Sequence, residues 1–322
     1  MSVWLRRILA SDTFFPDLVL VLLCGLALLH GLGTTHDLEW GGDSDNYRDV
    51  AAAQSILDGY FWNDSLYLGE SLWYSPLTPT LVAGVSWLTN LPVHVVHTRL
   101  GAFLNLLAPI CFYALLASFF NRRVALASTA AFLFLTTPFL YPSWASATYS
   151  PNLFPVIFVQ SLFYISLMVY RQAIRTGKRR WYVASGILLG LTFLGHTAPA
   201  VILGSIIVLF TLKQLFNQRQ ANAPRVDMLR IVINVVILLV TAIIVSTPFL
   251  YTFLGRYHLH VINPLPNNWR WGQLDGVGIV GLVATQLIWP VTYIAMLGLK
   301  QFLSTDLLYV NNKMFSLSIT GR

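Results

Sequence analysis

Charge is what this 322-residue chain has least of. Asp, Glu, Lys and Arg make up 10% of it, against 56% hydrophobic residues. Soluble domains carry about 25% charged residues, so a water-soluble globular fold is excluded. Acids are scarcer than bases, thirteen against twenty, for a formal charge of +7. That balance does not indicate nucleic acid, because the basic residues sit in short clusters between apolar runs, as in the topology-setting loops of membrane proteins. The chain has only two cysteines, Cys24 and Cys111. Both fall inside apolar runs, so they read as small buried side chains and not as a disulfide or metal site. Repeats, low-complexity tracts and a soluble domain are also missing.

What is there is hydrocarbon-seeking sequence in long runs. Eight are long enough to cross a bilayer: roughly 15–34, 95–120, 124–141, 153–170, 181–197, 199–216, 229–251 and 275–299. Backbone groups in lipid must pair within their own segment, so each run is expected to be a helix. Arg6 and Arg7 ahead of the first run have the layout of a signal peptide, but no small-x-small site closes it. The first run therefore reads as an uncleaved helix.

A ninth run, 76–91, is short and carries Thr78, Pro79, Thr80, Ser86 and Asn90. Counting eight spans from a cytoplasmic N-terminus puts Arg6/Arg7, Arg122/Arg123, Arg171 to Arg180, Lys213 to Arg230 and Lys300 on the cytoplasmic side. That is fourteen of the twenty Lys and Arg residues. If 76–91 crossed too, every cluster after Arg7 would flip outward, against the positive-inside bias. Residues 35–94 then form one large extracytoplasmic loop with 76–91 lying in the interface. The expected organisation is an all-α polytopic domain over 1–300, and a short tail over 301–322 that leaves a truncated C-terminus open. The expected location is the plasma membrane, the bacterial inner membrane in a bacterium.

That first loop gathers the chain's acids. Asp37, Glu39, Asp43, Asp45, Asp49, Asp58, Asp64 and Glu70 are eight of the thirteen. From Asp45 to Gly59 the pattern is helical, with Val50, Ala53, Ile56 and Leu57 as an apolar stripe and Asp49, Gln54 and Asp58 opposite. Gly59 stops it. Leu77, Leu81, Val85 and Leu88 give 76–91 a similar stripe. Asp43 and Asp45 follow a glycine pair just past the first span. Two carboxylates at that spacing are suited to holding a divalent cation through oxygen. One of them is equally suited to act as a general base where burial or a neighbour raises its pKa.

Around the acids stand aromatic and cationic residues. Trp40, Trp62, Trp73, Trp144, Trp269 and Trp271 all fall on the outer side, where they suit either a headgroup belt or stacking on sugar rings. Arg99, just inside the second span, reads either as snorkelling or as a phosphate contact. His196 beside Thr197 and Pro199 reads as an interfacial cap or as a substrate hydrogen bond. His258 and His260 flank Leu259 without carboxylate or thiol neighbours, a weak metal pattern.

The run Asp45-Asn46-Tyr47-Arg48-Asp49-Val50-Ala51-Ala52-Ala53-Gln54-Ser55-Ile56-Leu57 resembles the first-loop motif of GT-C fold glycosyltransferases. Those nearest in kind are the aminoarabinose lipid A transferases and the dolichyl-phosphate-mannose protein mannosyltransferases. The likeness continues through Gly69-Glu70, Tyr74-Ser75-Pro76, His97-Thr98-Arg99-Leu100, Arg122-Arg123, Ser150-Pro151-Asn152 and Gly190 to His196. It covers about residues 1–215 in order. Many of those enzymes have Lys or His where Ser75 stands, Asp where Asn152 stands, and a longer C-terminal half.

The resemblance implies transfer of a sugar from a polyprenyl-phosphate donor to a lipid, glycan or protein acceptor outside the cytoplasm. It implies a first-loop Asp as catalytic base, which falls on Asp45 with Asp43 competing. Arg99, His196, Tyr74, Trp73 and Asn152 are the implied substrate contacts. No cofactor is required by this reading, and a divalent cation on Asp43 and Asp45 stays open. The alternatives are a non-catalytic membrane subunit working for a partner, or a transporter or flippase of the lipid-linked sugar. A transporter places ionisable residues near the bilayer midplane, whereas these spans have almost none there.

Overall fold

A computed structural model describes residues 14–42, 44–67, 69–134, 149–220 and 225–258, and among them every regular element is a helix. In chain order these are α1 (Phe14–Thr35), α2 (Ser44–Leu57), α3 (Leu77–Thr89), α4 (Val93–Leu104), α5 (Leu107–Phe119), α6 (Arg122–Phe134), α7 (Pro155–Thr176), α8 (Arg179–Gly195), α9 (Thr197–Gln220) and α10 (Arg225–Leu250). A π-helical turn, Tyr251–Arg256, continues α10. All of this lies within the first of the chain's two units, Met1–His258.

Five stretches among the described residues are long and apolar enough to cross a membrane: Phe14–Thr35, Val93–Phe119, Pro155–Thr176, Thr197–Arg219 and Asp227–Leu250. The described residues adopt the all-helical class expected from composition, and their long apolar helices suit a membrane-embedded chain. The count of eight is not reached within the described residues. The run 275–299, the end of 124–141 and the tail 301–322 lie outside them. The expected span 181–197 is α8, whose 17 residues reach about 26 Å at 1.5 Å per residue, short of a hydrocarbon core of about 30 Å.

Although it is short, α8 organises the larger half of the bundle. It packs against α7 on one side and α10 on the other. Two of its glycines, Gly186 and Gly190, are one turn apart and let the backbones close up. A Cβ on Gly186 would lie 2.4 Å from the Leu238 carbonyl oxygen, and one on Gly190 would lie 2.7 Å from Val245 Cβ. This is small-residue packing at four-residue spacing, the means by which helices associate where lipid supplies no hydrophobic contrast. Tyr170, Tyr182, Leu189, Leu203, Ile207 and Leu238 fill the seam.

The second half is built on the broken helix α4/α5. Asn105, fully buried at the break, donates through Nδ2 to the carbonyls of Ser150 and Asn152, both at 2.8 Å. Gly101, one turn earlier, makes room for that same extended segment, since a Cβ there would fall 2.4 Å from the Pro151 oxygen. At the opposite end of α1, Asp17 accepts from Tyr113 Oη at 2.6 Å and pairs with Arg122, joining α1, α5 and α6.

α2 and α3 pack on each other and on α4. Ala53, Val82, Ala83, Val93, Val96 and Leu153 form their common core. α3 has 13 residues, about 20 Å of helix, shorter than a hydrocarbon core of about 30 Å. Its expected apolar stripe is only partly the face that it buries. Thr78, Pro79, Val82, Ala83 and Ser86 face the protein, while Leu88 is 72% exposed. Small residues seat closely on α2 and α4, Val85 of the stripe packs beside the core they share, and Trp87 and Leu88 are left exposed.

Candidate functional site

α2 ends where the sequence indicates. Gly59 takes φ +88°, a left-handed conformation open to glycine, and Gly59 and Tyr60 cap the helix with bonds to Ile56 and Ser55 carbonyls. Which face α2 buries is a correction to the sequence reading. Asn46, Asp49, Ala52 and Ala53 are buried, and Val50 and Ile56 pack beside the core. The stripe expected to oppose the acids thus includes one of them: Asp49 is only 2% exposed, while Leu57 is 38% exposed. Asp58 and Gln54 lie on the open face as expected, bonded to each other at 2.9 Å.

A carboxylate placed there needs a partner, and Arg48 is that partner. Its Nε and Nη2 both donate to Asp49 Oδ1, at 3.1 and 3.0 Å, while Nη1 donates to Asp45 Oδ1 at 2.9 Å. The guanidinium carbon stands over the ring of Tyr74, 3.6 Å from its centre. This combines charge-assisted bonding with a cation over an aromatic face. Burial still dominates: it pushes the Asp49 carboxyl up to about 6, against the opposing pull of Arg48. The Tyr74 phenol is raised as well, first by burial.

Beside this cluster is a small open cleft of about 10 Å³, room for roughly one water. Arg48, Asp49 and Ala52 of α2 form one wall, residues 64–66 and 72–75 the others, and Pro79 closes it. The 64–66 turn is itself fixed by Asp64, whose Oδ1 accepts from the Leu66 and Tyr67 amides at 2.8 and 2.9 Å. This finger folds back through the Asn63–Ser71 bridge. The end of α10 holds its tip. Tyr257 Oη accepts from the Ser71 amide at 2.9 Å and lies 2.8 Å from both Glu70 Oε2 and the Ser71 carbonyl. Arg256 donates to the Gly69 carbonyl at 3.1 Å.

The structure therefore brings Asp45, Tyr74 and Trp73 to one place. Trp73 is 47% exposed and stands edge-on to Tyr74. Asp45 is not in the cavity wall; its side chain is 61% exposed and reaches the cluster through Arg48. Asp43 lies outside the described residues, as do His260, Trp144, Trp269 and Trp271.

Arg99, His196 and Asn152 do not line this cavity. Arg99 donates to the His36 carbonyl at 3.0 Å, tying α4 to the segment after α1. The His196 Nδ1 accepts from the Ala198 amide at 3.3 Å and caps α9. Asn152 is exposed, with its carbonyl held by Asn105. Trp40 is stacked on His94 (4.5 Å, 6°) and Tyr47 (5.7 Å, 26°), so its ring is already engaged.

Among the described residues no group of three or more His, Cys, Asp or Glu side chains is arranged to hold a metal ion. Sequence reasoning missed Arg48 and Asp49 as members of the site. The spacing of Asp45 and Arg48, three apart on a helix, was a readable signal; the approach of Tyr74 was not.

Comparison with protein-family models, curated proteins and solved structures finds no match for this chain.

Proposed function

We propose that the protein is a membrane glycosyltransferase that moves a sugar from a polyprenyl-phosphate donor to a lipid, glycan or protein hydroxyl on the extracytoplasmic side. The observation that carries this reading is the Asp45–Arg48–Asp49 cluster, set on a short non-spanning helix pair beside a cavity and packed directly on membrane helices. Asp45 is the general base. As the acceptor oxygen attacks the anomeric carbon, its proton passes to the Asp45 carboxylate. The bond from that carbon to the phosphate oxygen breaks, and its electron pair leaves on the polyprenyl phosphate. A phosphate is a good leaving group already, so the enzyme's contribution is proton transfer and held geometry. The exposure of Asp45 leaves it reachable by an incoming acceptor, and Arg48 fixes its direction.

A second reading, a non-catalytic subunit that presents a lipid-linked sugar to a partner, is favoured by one observation: Asp45 stands beside the cavity wall and not in it. Asp45→Asn separates the two. Transfer from polyprenyl-phosphate sugar in membranes should fall by a factor of 100 or more, roughly the worth of a general base, with protein levels unchanged. Full activity in that variant removes Asp45 from the mechanism.

A further inference from the structure

We propose that the exposed face of α8 seats one anionic phospholipid, its phosphate on Arg175, Lys178, Arg179 and Arg180 and an acyl chain along Val183 and Ile187. The seat is independent of the glycosyl-transfer reading. It lies at the Arg179 end of α8, whereas Gly195 at the far end meets Leu77 of α3, on the side of the Asp45 cluster.

Charge comes first. From Arg171 to Arg180 the chain carries five cations and no acid, and between Glu70 and Asp227 it has no acid at all. Arg171 is engaged, donating to the Ser118 carbonyl and standing over the Phe119 ring. The other four are exposed. Among the described residues no acid forms an ion pair with them, Asp227 in the first turn of α10 included. The turn that gathers them is fixed. Gly177 takes φ +60° and donates to the Ala173 carbonyl at 2.8 Å, and the Lys178 carbonyl accepts from the Trp181 amide at 3.0 Å. Like charges held this close repel one another, and a phosphate among them relieves that repulsion.

Shape then favours a lipid over a soluble anion. Along α8 the exposed residues are Arg179, Arg180, Val183 and Ile187. Arg180, Val183 and Ile187 are three and seven positions apart, which is one face of a helix. α7 and α10 pack on the rest. The face therefore passes from guanidinium groups to branched aliphatic side chains, head to tail as a phospholipid does. Its level agrees: α7, which is long and apolar enough to cross a membrane, ends at Thr176 beside this turn. Arg180 also stands 5.4 Å from the centre of the Trp181 ring, and tryptophan favours the headgroup layer. A zwitterionic headgroup would bring its own cation to a positive patch, so a net anionic lipid such as phosphatidylglycerol fits best.

The test uses the full chain purified in a neutral detergent. It is titrated with palmitoyl-oleoyl phosphatidylglycerol or with phosphatidylcholine of the same chains, and retained lipid is counted by native mass spectrometry. One phosphatidylglycerol per chain should be held more tightly than phosphatidylcholine. Arg180→Gln should weaken its retention about fivefold, the worth of one cation beside an anionic headgroup. Arg180→Lys keeps the charge and should hold lipid as the wild type does, and an unchanged melting temperature in both variants guards against misfolding. Arg123→Gln removes the same charge from α6, which packs on α1 and α5, and should leave retention unchanged. Glycerol phosphate, the headgroup without its chains, should not displace the lipid in large excess.

Equal retention of the two lipids, full retention in Arg180→Gln, or an equal loss in Arg123→Gln overturns the seat. Displacement by glycerol phosphate would make the patch a site for soluble anions and overturn the lipid assignment.

Discussion

Asp49 couples the site to pH. Burial raises its pKa from 3.8 to about 6, so the folded protein holds this proton more tightly than the unfolded chain does. The stability that protonation contributes is full below 3.8 and is lost as the pH rises through about 6. The upper limit of that contribution is roughly 3 kcal/mol. Asp49→Asn keeps the shape and removes the titration. The thermal midpoint of the wild type should therefore drop more than that of the variant between about pH 5 and about pH 8. Parallel drops in light-scattering or fluorescence melts would show that Asp49 is not a raised, buried acid. The sequence could not have placed this residue. Periodicity put Asp49 on the open face, and only the packing of Asn46, Asp49 and Ala53 against α3 and α4 turned it inward. Arg48 makes that placement tolerable, and Tyr74, 26 positions along the chain, supplies the ring beneath it.

Elements were more legible than faces. Gly59 ended α2 and the short run after Pro76 became the 13-residue helix α3, because both follow from local chemistry. The broken helix at Asn105 and the finger over 62–72 were not legible, since each depends on partners far away in sequence: Ser150 and Asn152 in one case, Tyr257 in the other. The finger supplies two walls of the cavity, so its latch bears on the site. Tyr257→Phe deletes the hydroxyl that meets Ser71 and Glu70. Hydrogen exchange across residues 60–72 should then quicken severalfold while α8 and α10 stay protected. Unchanged exchange in the finger would mean that Tyr257 does not hold it. A second contrast tests the helix seam. Gly190→Leu forces a side chain into Val245 and should sharply lower the yield of folded protein, whereas Gly204→Ala, with nothing within 4 Å of the new Cβ, should be neutral.

At the scale of the whole molecule, composition alone set the class: a helical, membrane-embedded chain whose described spans are almost free of charge at their centres. The acids and the basic clusters then separate along the chain, with eight of thirteen acids between residues 37 and 70. The account depends on that separation also being one of sides. The cavity, its carboxylates and the latch must all face away from the cytoplasm to meet a lipid-linked sugar there.

Ser65 sits in the cavity wall and offers the direct measurement. With Cys24 and Cys111 replaced by Ala, Ser65→Cys should react with a membrane-impermeant maleimide added to intact cells, while Arg175→Cys, on the predicted cytoplasmic side, should react only after the membrane is opened. The reverse pattern, with Ser65→Cys protected until lysis, would put the site in the cytosol and contradict the account.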